Sequence, residues 1–114
     1  MTPAPHRRGQ IRELLQLLAS EQEQLAYEHI VPHVDITAEL VCMWFNDLYD
    51  AKHATADSTF SDGERTALAE FHQFYDARVE RLPESQGTVR TWLASSIWRE
   101  VMEQARRTLE RIAA

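Results

Sequence analysis

Three glycines and four prolines punctuate 114 residues, and two of those prolines fall within the first five positions. A chain so poor in turn-forming residues is ill suited to the frequent reversals of a small β-sandwich or barrel. A few long elements are the economical solution. Apolar residues recur at three- and four-residue spacing along most of the chain, the repeat of one side of a helix. The expected fold is therefore all-α: a single-domain bundle of four main helices, with room for a short fifth, over residues 11–114 behind a flexible tail at 1–10.

The first helical segment, 11–30, carries Ile11, Leu14, Leu15, Leu18 and Leu25 on one side. Ser20 and Glu23 have the spacing of a capping box, but no Gly or Pro intervenes, so one uninterrupted helix ending before Pro32 is expected. A second segment starts after a cap at Asp35 or Thr37. Ile36, Leu40, Val41, Met43, Trp44, Phe45, Leu48 and Tyr49 spread round much of its circumference. So broad an apolar face calls for a central position in the bundle, or for cover from a second molecule. After a polar loop at 52–60, Ser61-x-x-Glu64 opens a third helix with Leu68, Phe71, Tyr75, Val79 and Leu82 on its stripe, stopped by Pro83. Residues 88–94 form the short fifth helix. Ser95 or Ser96 then caps a last helix with Ile97, Val101, Ala105, Leu109 and Ile112 inward. The central core is expected to be Leu40, Trp44, Leu48, Leu68, Phe71, Tyr75, Val101 and Leu109.

Charge is distributed unevenly within the net −6. Residues 1–12 hold three arginines and no acid, 13–84 hold fifteen acids against four bases, and 85–114 hold five arginines against three acids. An acidic body repels phosphate backbones and anionic headgroups, so neither nucleic acid nor membrane is an expected partner, and a basic protein surface is. Arg99, Arg106, Arg107 and Arg111 interleave with Glu100, Glu103 and Glu110, which reads as a solvated ion-paired face. No run approaches the ~20 apolar residues of a membrane span. Eleven of the twelve bases are arginine. That skew suits a GC-rich bacterial gene, and the expected location is the cytoplasm.

Chemistry-bearing patterns are sparse. His29 and His33 have the i, i+4 spacing of a helical metal pair, but Pro32 lies between them. His72 sits at the flank of the third helix's stripe, four residues before Asp76. There is no Glu-x-x-His for a di-iron bundle, no EF-hand spacing, no nucleophile elbow and no clustered glycines for a phosphate. Cys42, the only cysteine, reads as core. No cofactor is expected. The leading expectation is a non-enzymatic interaction or regulatory protein with an acidic surface and a protein partner. It should self-associate as a homodimer, with Trp92, Trp98 and Tyr49 at the contact. The competing expectation is a small helical metal-binding protein or enzyme using His29, His33 and His72 with nearby carboxylates, which requires the first and third helices to face each other.

Overall fold

The computed structural model describes residues 4–31, 35–50, 53, 57–82 and 88–112, with only the backbone of 4–6. The described residues are all-α, with no strand among them: α1 (Ala4–Ala19), α2 (Glu21–Ile30), α3 (Ile36–Cys42), a π-helical turn (Met43–Leu48), α4 (Asp62–Val79), α5 (Val89–Leu93) and α6 (Ser96–Arg111). The stops expected at Pro32 and Pro83 lie outside the described residues, as does His33.

The last helix, not the second segment, is central: α6 packs along both α1 and α4. Its buried seam consists of Trp98, Val101, Met102, Ala105 and Thr108, with Ile112 just beyond it. Thr108 enters this seam because its hydroxyl donates back to the Gln104 carbonyl at 2.8 Å, leaving a methyl group to pack. Leu109, expected at the centre, is only half-buried beside it, as are Ile97, Val79 and Leu48. The rest of the expected core is placed inside: Leu40, Trp44, Leu68, Phe71, Tyr75 and Val101 are at most 3% exposed.

Two helices replace the single one expected over 11–30. Ser20 leaves helical geometry, and its hydroxyl accepts from the Glu23 backbone N–H at 3.1 Å. That cap prevails over continuity because the orphan carbonyls at the end of α1 also find a partner. The Gln24 amide donates to Leu17 and Leu18 carbonyls at 3.1 and 3.0 Å, and its oxygen accepts from Trp98 Nε1 at 3.0 Å. The helix also begins earlier than expected, at Ala4, so residues 4–10 are helix rather than tail. Arginines hold it there. Arg7 Nε meets Asp57 at 3.1 Å, and Arg8 makes a bidentate pair with Glu64 at 2.8 Å and donates to the Thr59 carbonyl.

The broad second segment divides as well. Asp35 caps α3 through the Ala38 N–H, and after Cys42 the backbone widens, so that the Tyr49 N–H reaches the Trp44 carbonyl five residues back at 3.1 Å. In an α-helix, residues five apart lie about 140° round the axis. The wider turn lets Trp44 and Tyr49 both face inward and stack, with centroids 4.7 Å apart and planes 6° apart. Cys42 is half-buried at this junction rather than in the core.

Candidate functional sites on either side of the π turn

Of the expected metal candidates, His29 and His72 are among the described residues and His33 is not. His29 is exposed at the end of α2, and His72 is held at the core edge, where its Nδ1 accepts from Trp44 Nε1 at 3.1 Å. His53, the partner of Asp50 at 2.6 Å, is exposed. Among the described residues no group of three His, Cys, Asp or Glu side chains is arranged to hold a metal ion.

The aromatic residues expected at a contact are placed in the chain's own core. Trp98 is fully buried, Trp92 and Tyr49 are 3% and 7% exposed, and the two tryptophan rings meet at 4.7 Å. Little of their surface is left exposed within this chain. The charge asymmetry is likewise resolved within one chain. The basic N-terminus pairs with Asp57 and Glu64, while Arg78–Glu100, Arg99–Glu21 and Arg111–Glu70 tie α6 to α4 and α2. On α6 itself, Arg106 and Arg107 both donate to Glu103 and hold its carboxyl down at about 2. These arginines are already engaged, as expected of an ion-paired face.

What stays open is one side of the second segment. Val41, Met43, Phe45 and Leu48 are only partly buried, because α6 rather than this segment occupies the middle of the bundle. Two depressions flank the π turn and share Leu48. The first is an apolar groove of about 300 Å³, to which α1 contributes Glu13, Leu14 and Leu17, α2 contributes Tyr27, and the turn contributes Met43 and Leu48. Ile30 is 74% exposed and three residues on from Tyr27, so it extends the same face of α2. Glu13 lines this groove and Glu39 acts on Tyr27 at its edge, neither in an ion pair among the described residues; burial first, then the Glu39 carboxylate, pushes the Tyr27 phenol above its ordinary value.

The second depression, about 480 Å³, is predominantly polar and is lined by Arg7, Phe45, Asn46, Asp47, Tyr49, Asp50 and His72 besides Leu48. Because Nδ1 of His72 accepts a hydrogen bond, the proton of the neutral ring sits on Nε2. The Tyr49 phenol is pushed up by burial and stays protonated at neutral pH.

The breadth of the apolar face at 36–49 was the sequence signal for the groove. The polar depression had no such signal, since it depends on the extra width of the π turn and on an arginine brought in by helix at 4–10. Comparison of the chain with protein-family models, with curated proteins and with solved structures gives no match.

Proposed function

We propose that the chain is a protein-interaction module whose apolar groove receives an amphipathic helix flanked by basic residues, from a partner in a bacterial cytoplasm. The observation that carries this reading is the groove itself: exposed edges of Leu17, Tyr27, Met43 and Leu48, continued by Ile30, with the carboxylates Glu13 and Glu39, unpaired among the described residues, beside them. Apolar anchors at helical spacing suit such a surface, and unpaired carboxylates at the edge favour lysine or arginine on the partner. A second copy fits less well, because α6, the strongly amphipathic arginine-bearing helix, already has its apolar side against α1 and α4.

Titration calorimetry with a model helical peptide, leucine on one stripe and lysine or arginine along its flanks, tests the reading. One-to-one binding is expected, weakened at least about tenfold by Met43→Asp, and weakened also by rising salt and by Glu13→Gln with Glu39→Gln. Equal binding of an acid-flanked peptide, or no binding, would overturn the charge argument or the groove. A dimer in sedimentation equilibrium that Met43→Asp dissolves would make a second copy the occupant.

A further inference from the structure

The polar depression has the volume of a small-molecule site, for which roughly 300–1,000 Å³ is usual. Its wall carries hydrogen-bonding groups that the fold leaves unused. Tyr49 is 7% exposed, and its hydroxyl has no hydrogen-bond partner among the described residues. His72 uses Nδ1 on Trp44, and its Nε2–H has no partner among the described residues. Both groups open to solvent in the cleft, since among the described residues no buried side-chain polar atom lacks a partner, so a ligand can take the place of water on them. Charge of both signs lines the same space: Arg7, whose Nε is on Asp57, and Asp47, which makes no ion pair among the described residues. An anion alone would face Asp47 and Asp50, and a cation alone would face Arg7. A ligand carrying both charges suits the whole wall, and Phe45 and Leu48 add apolar surface beside it.

We infer that this cleft binds a small zwitterion of the α-amino acid class with an apolar side chain. The carboxylate is received by His72 Nε2–H, the Tyr49 hydroxyl and Arg7, the ammonium by Asp47, and the side chain lies against Phe45 and Leu48. The polar groups of the site are separate from the groove, since Asp47, Tyr49 and His72 do not line it, although Leu48 borders both.

The test is titration of the full chain with L-leucine and L-phenylalanine, each beside its N-acetyl and its carboxamide derivative, followed by calorimetry and amide NMR. At least one free amino acid should bind at one equivalent, and capping either charge should weaken it at least about tenfold. Tyr49→Phe keeps the stacked ring and removes only the unpartnered hydroxyl; it should weaken binding about fivefold without lowering the melting temperature. Asp47→Asn, at an exposed position, should weaken binding similarly. Absence of saturable binding by either free amino acid, equal binding of capped forms, or affinity unchanged in both variants would overturn the proposal.

Discussion

Gln24 is fully buried between α1 and α6, and each of its amide atoms has a defined partner: two carbonyls at the end of α1 and the indole N–H of Trp98. Nothing in a polar residue within an acidic stretch marks it for the interior. Its placement follows from the break at Ser20, which turns α2 so that position 24 meets Trp98. Replacing it by leucine fills the space but strands the Trp98 indole donor and the Leu18 carbonyl, while the Leu17 carbonyl keeps the Ser20 N–H. Gln24→Leu should therefore cost about 1–3 kcal/mol in urea unfolding. Trp98→Phe should cost less in the Gln24→Leu background than in the native one, because the indole N–H has already lost its acceptor. Equal costs would mean that the pair does not interact. His72 was legible as a histidine at the flank of the third helix's stripe, whereas its acceptor role toward Trp44, which leaves the other N–H for the cleft, is a property of tertiary packing.

At the scale of the element, sequence signals worked best where local chemistry is self-sufficient. Ser61 and Glu64 form a complete capping box, with the Glu64 N–H donating to the Ser61 hydroxyl at 3.2 Å and the Ser61 N–H donating to the Glu64 carboxylate at 2.9 Å. Glu64 also receives Arg8, so the box joins α1 to α4 as well as starting a helix. Ser61→Ala should destabilise the fold by about 0.5–2 kcal/mol; an unchanged urea midpoint would remove the cap from the account. The same signature at Ser20 and Glu23 was present in the sequence, but the absence of a glycine or proline favoured continuity, and the break was missed. The π turn had no local signature at all. It follows from placing Trp44 and Tyr49 on one inward side, a demand of the surrounding helices, and π turns recur where proteins build functional surfaces.

At the scale of the whole molecule, the basic ends and the acidic middle meet within one chain, and the first helix is fixed by this contact. Burial raises the Asp57 carboxyl, but hydrogen bonds from the Thr59 hydroxyl and backbone N–H, together with the Arg7 guanidinium, bring it below its ordinary value overall. A carboxyl lowered in the folded state binds fewer protons than in the unfolded chain, so its contribution is complete above the unfolded value of about 3.9 and is lost as pH falls through the folded one. Asp57→Asn should therefore reduce stability at neutral pH and flatten the decline in urea midpoint between about pH 5 and about pH 2. An acid decline as steep as the native one would assign that loss to other carboxylates.

The same global arrangement determines which face stays open. With α6 in the middle, the apolar breadth of the second segment exceeds what α1 and α2 cover, and the groove is the remainder. Methyl NMR on the full chain during titration with the basic amphipathic peptide tests this most directly. The account predicts saturating shifts at Met43, Leu17 and Leu48, while Met102, 7% exposed within α6, stays unmoved. Shifts centred on Met102 or Leu93, or no methyl shifts under saturating peptide, would contradict it.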